Sequence, residues 1–570
     1  MRSSPPAGRL TSLFIVLSLA FGGVAARLVV LQLRDAPTYR AIARDQRLRR
    51  IPLAPARGTI YDRAMHELAL SLPARAIYAN PALVEDPVET ANRLAEVLEL
   101  PTSDLLGLLV TGGPFVYLAR RVDLRVAERV AELELPGVGL LEESKRYYPG
   151  RELASQVLGF VGIDGGGLSG IELQYQNLLA GRPGSVLLEQ DPGGQAIPQG
   201  LREDIEPLRG DDLVLTIDRE IQFHAEQALA EAVQANGAKG GMVIAMDPSS
   251  GDILAMATCP GFDANEFTEV TPGRTRNRNV TDVYEPGSVN KVITAAAAVE
   301  EHRVGLRERL AVPDRYFVGN RWFHDSHRHA PTTMTLTDII AQSSNVGTIM
   351  TAERLGKETL DRYLRAFGFG TPTGIRFPGE ADGILMPEEE WWSTSMGTIP
   401  IGQGIAVTPL QMLSVYATIA AGGVRVEPRL VKGTVDGSGG FLPWATGQRR
   451  RVVSTRTARL VTGMLARAVQ SGTGQAAQIP GYWVAGKTGT ARKPLEGIRG
   501  YSEEYVASFM GFAPARRPSL VVAAILDEPE TVYGGVAAAP LFREVAHFAL
   551  ARLRVPTTDP PRTPPALVEG

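Results

Sequence analysis

The C-terminal part of the sequence predicts an α+β fold, in which an antiparallel sheet is flanked by helices. Two apolar runs, residues 241–246 and 253–257, are separated by a short polar turn and predict a β-hairpin. Two further strand-like runs occupy residues 507–512 and 520–526, and a helical pattern over residues 540–553 follows them. Strands joined by short turns pair antiparallel, so this arrangement is typical of α+β proteins.

Length and composition predict more than one domain. The chain has 570 residues, of which 44% are hydrophobic and 21% charged, and this is too long for one ordinary core. The predicted parts are a short N-terminus at 1–9, a membrane anchor at 10–33, domains at 35–210 and 211–554, and a disordered proline-rich tail at 555–570. The net charge of −3 does not favour nucleic acid as a partner.

The single cysteine and a cluster of histidines could each indicate redox or metal chemistry, but the sequence around them does not favour such a role. Cys259 is the only cysteine, so an intramolecular disulfide cannot form and a packed or half-exposed thiol is expected. Residues 323–329 contain three histidines and an aspartate, without cysteines or the helical frame of a zinc protease. A polar strand or loop at the rim of a cleft is the favoured interpretation, and no metal or cofactor is expected.

The stretch Tyr-Glu-Pro-Gly-Ser-Val-Asn-Lys at residues 284–291 places a hydroxyl and an amine one helical turn apart. The apolar run after it predicts a buried helix, so Ser288 and Lys291 share a face. Free N–H groups at a helix start favour negative charge that develops during nucleophilic attack. Alone the pattern is weak, because a serine three residues before a lysine often only caps a helix.

Two later motifs raise the odds of a catalytic role. Ser343-Ser344-Asn345 ends a short amphipathic segment, and Gly-Lys-Thr-Gly-Thr at 486–490 follows a strand-like run. The chain has only seven lysines, so chance alone would seldom place two of them in such motifs. The three motifs together match the set found in active-site-serine penicillin-interacting enzymes.

In order and spacing these motifs resemble those of monofunctional class B penicillin-binding proteins, which are peptidoglycan transpeptidases. Residues 57–63 (Arg-Gly-Thr-Ile-Tyr-Asp-Arg), 146–149 (Arg-Tyr-Tyr-Pro) and 167–172 (Gly-Leu-Ser-Gly-Ile-Glu) resemble the boxes of that family's N-terminal module. The first box departs at residues 64–66, where Ala-Met-His stands in place of a usual Asn-Gly. This departure leaves the geometry of that turn open.

The resemblance implies a penicillin-binding transpeptidase fold at 211–554, after an elongated, dimerisation-like pedestal at 35–210 and one transmembrane helix. It also implies roles for the first two motifs. Ser288 would attack the penultimate D-alanine of a stem peptide and Lys291 would accept its proton. Ser343 would relay a proton toward the leaving amine, and Asn345 would hold Lys291 and the substrate backbone.

For the third motif, the resemblance implies substrate binding at a strand edge. Lys487 and Thr488 would lie where an extended peptide pairs as an added strand, and Gly489 would leave room for its approach. Thr490 and Thr488 would bind the terminal carboxylate. Backbone N–H groups of Ser288 and Thr490 would form the oxyanion hole.

The expected partners also come from the resemblance. They are peptidoglycan stem peptides, β-lactams, a polytopic membrane glycan polymerase and divisome proteins, with cell division slightly favoured over elongation.

Residues 10–26 are uncharged between Arg9 and Arg27, which suits one membrane helix, and an uncleaved anchor is favoured over a cleaved signal. Arginines cluster after this run, against a simple positive-inside count. The substrate that the resemblance implies lies outside the cytoplasmic membrane. We therefore expect a cytoplasmic N-terminus and an extracytoplasmic catalytic domain.

Alternatives remain open at this point. A serine β-lactamase or penicillin sensor would share the serine and lysine motifs but would not need the N-terminal boxes. A carboxypeptidase would use water with the same residues. An inactive scaffold for a glycan polymerase would be expected to have lost a catalytic residue, yet all of them are present.

Overall fold

The computed structural model describes residues 7–39, 47–111, 113, 115–189, 197, 199–266, 268, 270–495, 497 and 500–558. Residues 1–6 of the predicted N-terminus and 559–570 of the predicted tail lie outside this description. Contacts divide the chain into two units. Unit 1 comprises Met1–Ala56, Pro73–Lys145 and Gly181–Arg209, and unit 2 comprises Arg57–Leu72, Arg146–Ala180 and Gly210–Gly570.

Strands in the first half of the chain are β1 (Leu48–Leu53), β2 (Ile60–Tyr61), β3 (Glu67–Ala79), β4 (Val116–Asp123), β5 (Val138–Tyr147), β6 (Gly184–Glu189), β7 (Arg202–Ile205), β8 (Asp212–Leu215), β9 (Gly240–Met246) and β10 (Ile253–Cys259). Those in the second half are β11 (Leu310–Val312), β12 (Arg315–Val318), β13 (Arg321–His324), β14 (Thr332–Met334), β15 (Val424–Val426), β16 (Val431–Val435), β17 (Phe441–Pro443), β18 (Arg449–Arg451), β19 (Ala485–Pro494), β20 (Tyr501–Ala513) and β21 (Leu520–Asp527).

Helices in the first half are α1 (Ala7–Val29), α2 (Pro87–Leu98), α3 (Thr102–Thr111), α4 (Leu124–Ala131), α5 (Ser155–Leu158), α6 (Gly170–Gln174), α7 (Gln176–Leu179), α8 (Arg219–Ala235), α9 (Pro272–Thr275) and α10 (Arg278–Thr281). Those that follow are α11 (Lys291–Glu300), α12 (Leu336–Gln342), α13 (Asn345–Leu355), α14 (Lys357–Phe367), α15 (Ser395–Thr398), α16 (Pro409–Ala420), α17 (Thr455–Ser471) and α18 (Gly534–Arg552).

Unit 1 contains the apolar N-terminal helix and a small mixed domain. The segment Leu10–Arg34, with mean hydropathy 2.3, is long and apolar enough to cross a membrane, which fits the predicted anchor. Strand β6 pairs antiparallel with both β1 and β7. The second part of β3 pairs with β4, and helices α2, α3 and α4 contribute Leu94, Leu105 and Val130 to one buried apolar cluster.

The central sheet of unit 2 has five antiparallel strands in the order β10, β9, β21, β20, β19. Side chains alternate between its faces, so Met242 and Ile244 enter one apolar cluster whereas Val243 and Ala245 enter another. Both faces are therefore covered by helices, as predicted, with α8 and α18 on the second of these faces. Strand β19 forms an edge of this sheet within the described residues.

Helix α18 differs from its sequence prediction. The pattern placed its start at Pro540, but the helix begins at Gly534 with the proline inside it. The first turn of the helix packs closely on the sheet. A Cβ at Gly534 would lie only 2.3 Å from the Gly489 carbonyl oxygen. Only glycine permits this close approach between the start of the helix and β19.

The three boxes from the N-terminal part of the sequence meet in unit 2. Arg57 and Arg146 both bind the fully buried carboxylate of Glu172, with N···O distances of 2.5 and 2.7 Å. Arg57 also donates to Gln176 Oε1 at 2.7 Å, and Arg146 donates to the Gly58 carbonyl at 2.7 Å. These partners satisfy most of the buried charge, so the boxes form one ion-pair network.

The departure in the first box is accommodated by the backbone. Met65 adopts a left-handed conformation with φ of 68°, a region that asparagine and glycine enter at lower cost. The Asp62 carboxylate accepts hydrogen bonds from the Ala64 and His66 amides, each at 2.8 Å. The turn between β2 and β3 thus forms in spite of the missing Asn-Gly.

The predicted domain boundaries, 35–210 and 211–554, stay a prediction. The two contact units are not continuous in sequence and do not follow these boundaries. Residues 57–72 and 146–180, drawn from the predicted pedestal, have most of their contacts with unit 2. Strand β2 explains part of this grouping, because it pairs in parallel with β8, the first strand of the predicted second domain.

Loss of the shared carboxylate should weaken unit 2. We expect Glu172→Ala to lower its free energy of unfolding by roughly 3–5 kcal/mol, because two buried guanidinium groups would lose their counter-ion. Urea unfolding of the full-length protein in detergent would be followed by tryptophan fluorescence, since all five tryptophans lie in unit 2.

A matched control is Glu308→Ala. The Glu308 carboxylate pairs with Arg354 at the surface, so its loss should cost less than about 1 kcal/mol. Equal destabilisation by the two variants would contradict a structural role for the buried network.

Candidate active site

Ser288 lies in a 3₁₀ turn, Gly287–Asn290, that leads directly into helix α11. Two hydrogen bonds hold this turn. The Tyr416 hydroxyl donates to the Val289 carbonyl at 3.0 Å, and the side-chain amide of Asn290 donates through Nδ2 to the Ile399 carbonyl at 2.8 Å. Ser288 itself is half-buried. The surrounding hydrogen bonds therefore fix the backbone around the hydroxyl.

The same turn depends on a close approach of two glycines. The Gly287 N–H donates to the Gly402 carbonyl at 2.9 Å. Gly402 has a φ of 79°, and a Cβ there would lie 2.2 Å from the Gly287 carbonyl oxygen. The Gly-Gln-Gly segment at 402–404 thus shapes the turn that carries Ser288.

Lys291 brings the first two motifs together. Its side chain is fully buried, and its Nζ lies 2.6 Å from the Ser343 carbonyl oxygen, 2.7 Å from Asn345 Oδ1 and 3.2 Å from Ser343 Oγ. The first two partners accept hydrogen bonds only, whereas the hydroxyl can accept from an ammonium or donate to a neutral amine. This arrangement suits either protonation state of Lys291.

The 343–345 turn is placed by the two helices that it joins. Ser343 ends α12 in a left-handed conformation with φ of 62°, and Ser344 caps α13 by accepting from the Gly347 N–H at 2.9 Å. Asn345 Nδ2 donates to the His324 carbonyl at 3.0 Å. This bond orients the amide so that its oxygen faces Lys291.

The third motif lies on edge strand β19, against the turn that carries Ser288. A Cβ at Gly489 would lie 3.0 Å from Val289 Cγ1 and 3.1 Å from the Pro286 carbonyl oxygen, so the absence of a side chain permits this contact. Lys487 is buried and points along the strand toward Thr488 Oγ1 at 3.4 Å. The structure therefore brings all three motifs to one place.

Two threonine hydroxyls of this strand have hydrogen-bond partners on neighbouring segments. Thr488 Oγ1 lies 2.8 Å from Thr473 Oγ1, and Thr490 Oγ1 accepts from the Gly534 N–H at 3.2 Å. Gly534 is the first residue of α18. The helix start and the strand thus face each other at the site.

Burial changes the protonation of both lysines. It lowers the pKa of Lys291 to about 7, against the opposing effect of the Asp325 carboxylate, which favours the charged form. Burial also lowers the pKa of Lys487 well below its ordinary value, and the nearby Lys291 lowers it further. Lys291 is therefore neutral in a large fraction of molecules at neutral pH.

The sequence did not single out Asp325, which the structure places in contact with the second motif. Its buried carboxylate accepts hydrogen bonds from the Asn345 N–H at 2.5 Å, the Val346 N–H at 2.9 Å and the Ser344 hydroxyl at 2.8 Å. The cluster of histidines around it was interpreted as a cleft rim. Within the described residues, no group of three His, Cys, Asp or Glu side chains could hold a metal ion.

Comparisons with known proteins cover nearly the whole chain. The Penicillin binding protein transpeptidase domain matches residues 241–547, and the Penicillin-binding Protein dimerisation domain matches residues 52–215. Penicillin-binding protein PbpB of Mycolicibacterium smegmatis is 36% identical over 95% of this chain and 89% of its own length. The chain belongs to the penicillin-binding protein family.

Other relatives agree with this placement. Peptidoglycan D,D-transpeptidase FtsI of Escherichia coli is 33% identical over 95% of this penicillin-binding protein and 91% of its own length. The crystal structure of penicillin-binding protein 3 from Mycobacterium tuberculosis complexed with ampicillin has a TM-score of 0.73 and 31% identity, and the match covers 91% of this chain and all of that one. The predicted class B family and fold are confirmed, and the chain is a serine-type D,D-transpeptidase.

The Lys291 amine of this penicillin-binding protein should titrate near pH 7, well below an unperturbed lysine, because its burial disfavours the charged form. NMR of isotope-labelled lysine side chains would measure this in the full-length protein, where seven lysines give few signals. The signal lost in Lys291→Arg identifies the residue. A Lys291 signal that remains charged well above neutral pH would contradict the expected burial effect.

Proposed function

We propose that Ser288 is the nucleophile with which this transpeptidase cross-links peptidoglycan stem peptides, in septal wall synthesis. The observation that carries the proposal is the buried Lys291 amine, which lies one turn after Ser288 and within hydrogen-bonding distance of Ser343 and Asn345. Its lowered pKa makes the neutral amine available as a base.

In the acylation step, the Ser288 oxygen attacks the carbonyl carbon of the penultimate D-alanine and loses its proton to neutral Lys291. An ester bond forms, and the amide bond to the terminal D-alanine breaks. The proton reaches the leaving amine through the Ser343 hydroxyl, which lies 3.2 Å from Lys291 Nζ. Asn345 keeps Lys291 in place throughout.

Edge strand β19 suits an extended peptide as an added strand. Thr488 and Thr490 would bind the terminal carboxylate beside Lys487. Gly489 lets the strand lie close to the turn that carries Ser288, because a Cβ there would lie 2.3 Å from Ser508 Oγ and 3.0 Å from Val289 Cγ1. Backbone N–H groups of Ser288 and Thr490 would stabilise the oxyanion. An amine from a second stem peptide then attacks the ester and completes the cross-link, whereas attack by water would give carboxypeptidase activity.

The proposal extends to location and partners. The apolar segment Leu10–Arg34 would anchor the protein, with the N-terminus in the cytoplasm and the catalytic domain outside, where the wall lies. A polytopic glycan polymerase and divisome proteins are the proposed partners. Division is favoured over elongation because FtsI of Escherichia coli is among the relatives. A β-lactamase or inactive scaffold is disfavoured by the named D,D-transpeptidases among the relatives.

Ser288 should form a stable adduct with penicillin. Intact-protein mass spectrometry of the full-length protein with benzylpenicillin is expected to show one added drug mass, which peptide mapping assigns to Ser288. Ser288→Ala should lower adduct formation at least about a thousandfold, because the nucleophile is lost.

Ser471→Ala, at an exposed serine on helix α17, should label like the wild type and serves as the control. Drug turnover without accumulation would favour a β-lactamase. Failure of the folded protein to react would contradict the proposed nucleophile.

A methyl group at Gly402 should slow acylation by about tenfold or more, because it would displace the Gly287 carbonyl next to Ser288 and misplace the hydroxyl. The measurement is the rate of labelling of Gly402→Ala by a fluorescent penicillin. Gly463→Ala, at a helical position where a Cβ meets no atom within 4 Å, is the matched control and should keep the wild-type rate. Equal rates for both variants would show that the 402–404 segment does not place Ser288.

A further inference from the structure

Protonation of His329 follows from its two hydrogen-bond partners. Its Nδ1 lies 2.8 Å from the Ala330 carbonyl oxygen and its Nε2 lies 3.1 Å from Asp325 Oδ2. A carbonyl oxygen and a carboxylate oxygen can only accept, so a ring that hydrogen-bonds to both at once carries hydrogen on both nitrogens. This is the imidazolium form, which the raised pKa of His329 favours and in which the ring forms an ion pair with Asp325.

The Asp325 carboxylate serves both this histidine and the second motif. One of its oxygens accepts from the Asn345 and Val346 amides, and the other accepts from the Ser344 hydroxyl and from His329. The first two donors are N–H groups at the start of α13, which lack partners inside the helix. Asp325 therefore connects the imidazolium to the turn that contacts Lys291.

The titratable and charged groups near this pair include His324, whose Nδ1 lies 2.8 Å from the Asp325 carbonyl oxygen, and four further side chains, Lys291, Lys487, Asp314 and Arg328. The Asp325 carboxylate favours the charged form of Lys291, and the charge of Lys291 in turn lowers the pKa of Lys487. His329 faces Asp325 and Asp314, and the Ala330 carbonyl and these carboxylates raise its pKa. The Asp314 carboxylate also pairs with Arg328 at the surface, so much of its charge is already compensated.

We propose that Asp325 and His329 are positioning residues, a charged pair that holds the 343–345 turn against Lys291 and sets the pH range in which Lys291 accepts a proton. The imidazolium compensates the carboxylate, so less negative potential reaches Lys291 and its neutral form is favoured. The inference rests on the proposed function, because it requires Lys291 to act as the base.

The two charges of the pair have opposite effects on the protonation of Lys291. Variants of the two residues should therefore shift the pH dependence in opposite directions, which a purely packing role would not do. Asp325→Asn removes the negative charge while its Oδ1 can still accept from the helix amides. Lys291 then loses an attractive partner, and the pH at which acylation turns on should fall by about one pH unit or less. His329→Gln leaves the carboxylate uncompensated, so this pH should rise by a similar amount.

The measurement is the rate of acylation of the full-length enzyme in detergent by a fluorescent penicillin, followed as a function of pH. Glu358→Gln, which removes an exposed carboxylate from helix α14, is the control and should leave the profile unchanged. Opposite shifts in Asp325→Asn and His329→Gln support the pair. Shifts in one direction, or lower rates at an unmoved pH midpoint, overturn it.

Failure of the proposed function would look different. If wild-type acylation has no pH-dependent limb near neutrality, or if Lys291→Arg retains that limb, Lys291 is not the base and the proposed function fails at that residue. Thermal unfolding of each variant reports on folding. If Asp325→Asn does not fold, the direction of the His329→Gln shift alone decides, and an unmoved or lowered midpoint overturns the pair.

Discussion

The buried amine of Lys291 is the interaction on which the rest of the site depends. An ammonium group removed from water loses hydration free energy, which hydrogen bonds and nearby carboxylates only partly restore. Here the Ser343 carbonyl and the Asn345 amide supply the hydrogen bonds, and burial shifts the equilibrium toward the neutral amine. The helix, the 343–345 turn and the strand around it must all stay in place, because the loss of one partner would leave the amine unsatisfied.

The scaffold of unit 2 meets this requirement with short-range constraints. Glycines allow backbone segments to approach where a side chain would collide, as at Gly287 with Gly402 and at Gly489 with Gly534. A buried ion-pair network, centred on Glu172, joins three other segments that are distant in sequence. In both places, polar groups inside the protein have specific partners, which favours one arrangement of the segments over others.

Much of the fold and of the candidate site could be predicted from local patterns. Short apolar runs bounded by turn residues predicted the hairpin of β9 and β10 and the strands β20 and β21, because such runs are a local feature of the sequence. The spacing of Ser288 and Lys291 on one turn was predicted for the same reason. Asp325 escaped prediction, since its partners follow it by about twenty residues and its sequence neighbours are histidines. The predicted start of α18 at Pro540 was wrong: the helix begins at Gly534, a residue of low helix propensity that packs against Gly489 of a strand distant in sequence.

By itself the sequence determined the order of the three motifs, the strands and helices that carry them, and the family that they resemble. These features depend on the covalent spacing of residues along single turns and strands. Tertiary structure alone decided three features: the Ser343 carbonyl that faces Lys291, the Asp325 carboxylate that holds the 343–345 turn, and the burial that lowers the pKa of Lys291. The reason is physical, because desolvation and hydrogen-bond geometry depend on segments distant in sequence, and a linear pattern does not contain their distances.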